Sequence, residues 1–225
     1  MIPGSNHVVA CGRCGAMAQY RTLATESQLY SSLWTDGCVT GPLLNPQRVL
    51  FVCRNCHHLQ WMHEVDTVRI YETWDMPETP RDDEKWYHAP LMIEPIELHY
   101  YRALQFGMAS ERYGEMVLRM AAWRRHNDEH RSCGVASVLG SIQLAGSLFD
   151  DARSENRERL GRLLRDEEGI EQILYAELLR QDGQFGAALD VLARTDTNVH
   201  PPLAKGVRER CLRRDTLLGE VGRKR

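Results

Sequence analysis

Residues 49–61 read Val-Leu-Phe-Val-Cys-Arg-Asn-Cys-His-His-Leu-Gln-Trp, and the reading of this stretch decides the first third of the chain. Four β-type apolar residues, Val49 to Val52, run into Cys53. Leu59 and Trp61, with His63 and Val65 beyond, alternate on the way out. This is the pattern of two antiparallel strands around a tight turn that carries two thiols. A matching knuckle lies upstream, Cys11-Gly-Arg-Cys14-Gly15, followed by a further strand-like run from Ala16 to Leu23. Two CxxC knuckles brought together supply the four thiolates that Zn²⁺ favours as a tetrahedron. The sequence therefore predicts one zinc ion held by Cys11, Cys14, Cys53 and Cys56 in a small N-terminal β zinc ribbon. The 38 residues from 15 to 52 form a wide gap for a ribbon. Loop length adds little entropy cost, so a strand and a long loop fill it.

With four positions filled, no coordination site is left for water. The zinc reads as structural, and the chain is expected not to be an enzyme. Iron in a four-sulfur site uses the same ligands and stays open. Cys53-Arg-Asn-Cys56-His57 also satisfies the C-x-x-C-H haem-attachment pattern, but that reading leaves the Cys11/Cys14 knuckle without a role. A thioredoxin-type redox site lacks its βαβ context. Cys38 would exceed the tetrahedral count and reads as a small buried hydrophobe. His57, His58 and His63 read as surface or supporting histidines.

The chain has 225 residues, enough for one or two domains, and a formal net charge of -3. That balance points neither to nucleic acid nor to a membrane surface. The first residues, MIPGSNHVVACGRCG, show no basic n-region or apolar core of a secretory signal, and no apolar run is long enough to span a bilayer. A cytoplasmic location is expected. There, seven cysteines read as metal ligands or buried thiols.

From 72 to 95 the composition turns acidic and proline-rich, with Glu72, Asp75, Glu78 and Asp82 among Pro77, Pro80, Pro90 and Pro95. This predicts a linker whose Trp74, Trp86 and Tyr87 pack on a neighbour. From Ile96 the pattern is helical. Leu98, Tyr101 and Leu104 share a face; Ser110 is placed to cap a long helix carrying Met116, Met120 and Trp123. Val135 to Phe149 reads as a buried helix, and Ser154 as the cap of the next, with Leu160 and Leu164 as its stripe. Helices are expected near 170–182, 184–195 and 203–218, with Pro201-Pro202 just before the last. The expected fold class is α+β: a zinc ribbon at 1–71, an acidic linker at 72–95 and an all-α, TPR-like region at 96–225.

His126-Asn-Asp-Glu129-His130 matches H-x-x-E-H, the inverted zinc-peptidase motif. His126 and His130 one helical turn apart would share a metal, with Glu129 as base. A third ligand is needed, with Glu167, Glu168, Glu171 and Glu177 as candidates by position. The competing reading is a polar helix end crowded by Arg124, Arg125, Asp128 and Arg131.

Tyr175-Ala176 through Gly183-Gln-Phe185 to Ala188 and Leu192 resembles one tetratricopeptide-like unit. Ala176 and Ala188 are small where two helices approach closely, and Gly183 ends the first helix. An ordinary helical hairpin remains the alternative. The wider order of features is similar to a group of uncharacterised bacterial proteins in which a zinc ribbon precedes TPR-like helices. The matching residues are the two knuckles, Trp34-Thr-Asp36-Gly37 with Gly41-Pro42, Trp61, Trp123, Asn127-Asp128, Arg131, Asn156 and the 176–192 hairpin. That group has no assigned reaction, so the resemblance implies architecture and not activity. Trp34, Asp36 and Gly37 read as packing, with the indole over the knuckles.

The end of the chain is basic, with Lys205, Arg208, Arg210, Arg213, Arg214 and a terminal Arg-Lys-Arg. Ribbon cations are sparse (Arg13, Arg21, Arg48, Arg54), and no aromatic–basic alternation marks a base-stacking platform. The expected function is that of a non-enzymatic adaptor for a protein partner. Nucleic-acid binding is the alternative, and a zinc peptidase at His126, Glu129 and His130 the remote one.

Overall fold

A computed structural model describes residues 3–72, 85–131 and 146–223. Eight strands and six α-helices follow in order: β1 (Pro3–Ala10), β2 (Met17–Leu23), β3 (Ser32–Trp34), β4 (Val39–Thr40), β5 (Leu50–Val52), β6 (Leu59–Trp61), β7 (Asp66–Tyr71), α1 (Glu97–Gln105), α2 (Arg112–Arg131), α3 (Gly146–Arg165), α4 (Ile170–Gln181), α5 (Phe185–Arg194), α6 (Pro201–Leu212) and β8 (Glu220–Arg223). The fold is mixed α+β, with three small antiparallel sheets ordered β2-β1-β7, β4-β3-β8 and β5-β6.

The quoted stretch forms its hairpin, with Leu50 opposite Trp61 and Val52 opposite Leu59. The return strand is shorter than the alternation predicts. It stops at Trp61, and Met62–Glu64 turn as a 3-10 helix that leaves His63 in solvent. Leu50, Phe51 and Val52 are all buried, because the hairpin has packing on both faces. Leu50, Val52 and Leu59 pack on Tyr100, Tyr101 and Ala103 of α1 and Leu118 and Ala122 of α2. Phe51 turns the other way, onto Val9, Ala18, Val65 and the thiols. A continuous apolar strand is the signature of burial on both sides.

β1 and β7 carry little alternation and were not legible. Five of the six β7 residues are exposed, so pairing with β1 defines the strand and not its own pattern. The outer edge of β2 is closed by the chain after Trp86: Gln19 N–H donates to Pro90 O at 2.8 Å, and Met92 N–H to Gln19 O at 2.8 Å. Trp86 packs on Tyr71 with ring centroids 5.1 Å apart. The described part of the predicted linker thus packs on the β2-β1-β7 sheet; Trp74 and its acidic and proline neighbours at 75–84 lie outside the described residues.

The helical region departs from expectation at four places. α2 starts at Arg112, one residue later than a Ser110 cap requires. α3 begins at Gly146, so Ser154 is interior and not a cap, while most of the predicted Val135–Phe149 helix lies outside the described residues. α6 starts with Pro201, capped by His200 Nδ1 accepting from Leu203 N–H at 3.3 Å, and it ends at Leu212. The region is not all-α: its last strand, β8, crosses back to pair with β3. The helical core gathers Met116, Trp123, Leu160, Leu164, Ile173, Leu174, Leu192 and Leu203. In the α4–α5 hairpin, Ala176 and Ala188 are fully buried and Gly183 closes α4 at φ 75°. That left-handed conformation strains any residue with a Cβ.

Candidate metal centre

Each knuckle is a strand end, a four-residue turn and a return strand. β1 delivers Cys11, whose carbonyl accepts from Gly15 N–H at 2.8 Å and whose N–H donates to Ala16 O at 3.0 Å. The second knuckle repeats this geometry: Cys53 O accepts from His57 N–H at 3.0 Å, and Cys53 N–H donates to His58 O at 3.0 Å. Both turns close through a left-handed residue, Gly15 at φ 69° and His57 at φ 54°. Gln60 ties the two together, its Oε1 accepting from Gly12 N–H at 3.2 Å.

The four predicted cysteines converge. Cys11 Sγ is 3.7 Å from Cys56 Sγ, Cys14 Sγ is 3.6 Å from Cys53 Sγ, and all four sulfurs lie within 4.8 Å of one another. A tetrahedron with metal–sulfur bonds of about 2.3 Å has edges of about 3.8 Å, so the set fits a four-coordinate metal ion. Backbone and side-chain N–H groups already aim at sulfur: Cys56 N–H at Cys53 Sγ (3.5 Å) and Asn55 Nδ2 at Cys14 Sγ (3.7 Å). Such bonds favour thiolate. The Ala16 N–H and the Asn55 amide hold the Cys14 thiol down at about 6. The His58 N–H pulls Cys56 the same way, but burial and the three other thiols outweigh it and push it up to about 12. Four crowded thiols cannot all ionise without a cation among them. Cys11 and Cys53 are buried, while Cys14 faces solvent. The ligand set does not discriminate zinc from iron.

Cys38 stands apart, half-buried near Arg124, with its thiol pushed up by burial. It belongs to the long inter-knuckle loop, which does something the sequence did not disclose. Trp34 does not cover the knuckles. Its Nε1 donates to Thr40 Oγ1 at 2.8 Å, and the Arg131 guanidinium lies 6.0 Å from its ring centre. Asp36 is fully buried against α2. Its carboxylate accepts from Asn127 Nδ2 at 2.9 Å and pairs with Arg131, and its carbonyl accepts from Arg124 Nε at 3.3 Å. Beside it Thr35 Oγ1 donates to Glu177 Oε1 at 2.6 Å, and Glu177 forms a buried pair with Arg180. Gly37, at φ 73°, sits where an added Cβ would be 3.1 Å from Leu174. Trp34, Asp36, Gly37, Asn127 and Arg131 are thus one contact region between the loop and the helices.

The His126–His130 pair lies on α2 with ring centroids 6.5 Å apart. Among the described residues no third ligand atom assembles with it; the only group of three or more is the cysteine cluster. His126 Nδ1 faces Glu97 Oε2 at 3.8 Å, and Glu97 is held by both Arg153 (2.9 Å) and Tyr101 OH (2.5 Å). Glu177, one of the candidate third ligands, is consumed by Arg180. Part of the basic tail is also engaged: Arg210 pairs with Asp215, and Lys205 lies 3.9 Å from Glu209.

Among the described residues no helix is long and apolar enough to cross a membrane. No family model, curated protein or solved structure matches this chain.

Proposed function

We propose that the chain is a non-enzymatic cytoplasmic adaptor. One structural zinc ion at Cys11, Cys14, Cys53 and Cys56 staples its ribbon, and the ribbon and helices together offer a binding face to a protein partner. The observation that carries this reading is the convergence of four thiols at tetrahedral spacing, which leaves a bound ion no open position for substrate or water. The α4–α5 hairpin, with its paired small residues, supports a TPR-like unit, for which α2 and α3 are the neighbouring layer that such units need. Kinship with the bacterial ribbon-plus-helix proteins is part of the same proposal.

Metal analysis of purified chain is expected to give about one zinc per molecule, lost in Cys14→Ser and Cys53→Ser. Retention of metal and of melting temperature in both variants sinks the zinc assignment. For the adaptor role, affinity capture from native lysate is expected to return a reproducible protein partner. Capture of nothing, or a salt-dependent shift of nucleic-acid probes, counts against it.

A further inference from the structure

The four sulfurs of the metal centre are not equally sheltered. Cys11 and Cys53 are 2% and 1% exposed, packed with Val9, Phe51 and Met92 in one apolar cluster. Cys56 is half-buried, and Cys14 is the exposed member of the four. The whole turn around it, Gly12 to Gly15, faces solvent, and a Cβ added at Gly15 would meet nothing within 4 Å. A small reagent therefore has an open approach to the Cys14 sulfur.

Behind Cys14 stands a second thiol. Cys53 Sγ is 3.6 Å away, on the other knuckle and within the apolar cluster. An exposed thiolate backed by a sheltered thiol favours oxidation that ends at a disulfide, because the neighbour intercepts the sulfenic acid before a second oxidant arrives. The other close pair, Cys11 and Cys56 at 3.7 Å, has no exposed member.

We infer that Cys14 is a site of oxidative modification by hydroperoxides, with Cys53 as its resolving thiol and loss of the metal as the outcome. The inference rests on the metal assignment and goes beyond the adaptor reading. The Cys14 thiolate attacks one peroxide oxygen. The O–O bond breaks, and the other oxygen leaves with the electron pair and takes up a proton, as water or an alcohol. The Cys53 thiolate then attacks the sulfur of the sulfenic acid. The S–O bond breaks, and hydroxide leaves and takes up a second proton as water. Two thiolates have lost two electrons, one hydroperoxide has gained them, and two of the four ligands are gone. The remaining pair cannot fill a tetrahedral site. Ligation lowers a thiolate's nucleophilicity, but it does not cover a sulfur that already faces solvent.

The test treats the zinc-loaded full chain with hydrogen peroxide. Released zinc is read with a chromogenic chelator, and oxidised thiols by peptide mass spectrometry, with dimedone in a parallel sample to trap sulfenic acid. Cys14→Ser is expected to lose the metal outright, so the native chain carries the test. Beside it runs C38S/C133S/C211S, which removes every cysteine outside the cluster. Zinc release is expected to track formation of a disulfide joining Cys14 to Cys53, equally in both proteins, and to be reversed by dithiothreitol with added zinc. Dimedone should mark Cys14 about tenfold ahead of Cys11, Cys53 and Cys56. Zinc held while other cysteines oxidise, a disulfide that omits Cys14 or Cys53, or release abolished in the triple variant overturns the inference and leaves the metal assignment standing. A reduced chain that carries no zinc before peroxide is added overturns the assignment, and the inference with it.

Discussion

At Asp36 both carboxylate oxygens are occupied: Cys38 N–H donates to one at 3.1 Å, and Asn127 and Arg131 hold the other. The side chains of Asp36 and Arg131 are 0% and 6% exposed, so removing Asp36 leaves Asn127 without its acceptor and the buried Arg131 with only the partly exposed Asp128 beside it. Burial alone brings the Arg131 guanidinium down to about 10. Asp36→Ala is therefore expected to cost about 3–5 kcal/mol in urea unfolding. The control is Glu158→Ala, whose pair with Arg162 is solvent-exposed and whose loss should cost less than about 1 kcal/mol. Equal effects from the two variants would remove the case for Asp36 as a lock. Cys14 gives a second residue-scale expectation. Its thiol is exposed and lowered to about 6, so in metal-free protein it is already thiolate at neutral pH. Iodoacetamide labelling followed by mass spectrometry should show Cys14 reacting first. Its rate should hold as pH falls from 8 to 7 and drop only near pH 6, and bound metal should suppress it. A rate falling tenfold per pH unit from 8 downward contradicts the lowered thiol.

Elements are set by their ends as much as by their faces. α4 and α5 are joined across Gly183, at φ 75°, while Gly186 lies inside α5 with open space around it. The same substitution should act in opposite directions at the two. Gly183→Ala forces a Cβ into the left-handed region and should destabilise by about 1–2 kcal/mol. Gly186→Ala removes backbone freedom from the unfolded chain and should stabilise by about 0.5–1 kcal/mol. Thermal melts of the two variants check the sign. β8 presents a different case. Four residues pair with a three-residue strand almost two hundred positions earlier, and Thr35 and Gly219 exchange two hydrogen bonds, Thr35 N–H to Gly219 O at 2.9 Å and Gly219 N–H to Thr35 Oγ1 at 3.2 Å. Ending the chain before Gly219 should release β3, making the 24–48 loop the first site of limited proteolysis.

For the whole molecule, the cysteine cluster and the helices are joined by packing. The β5–β6 hairpin packs its Phe51 against the thiols and its Leu50, Val52 and Leu59 against α1 and α2. The inter-knuckle loop locks onto α2 and α4 through Asp36 and Thr35. Removal of the metal by a strong chelator is expected to lower the melting of helical far-ultraviolet ellipticity, with ribbon and helices lost in one transition. A helical melt unmoved by chelation would show instead that the ribbon is a passive appendage.

The four cysteines that cluster, the β5–β6 hairpin and the α4–α5 hairpin were legible in the sequence, because each is governed by spacing over a few residues. Two cysteines on a turn, an apolar run into a thiol, and alanine and glycine at helical intervals need no distant partner to be recognised. The role of the Trp34–Gly37 turn, the pairing of Asp36 with Arg131 and the strand β8 were decided only by tertiary structure. Asp36 and Arg131 are polar residues in polar stretches, and β7 and β8 are exposed strands without alternation. Their placement comes from partners about 55 to 190 residues away, where charge pairing and strand pairing leave no local periodicity to read.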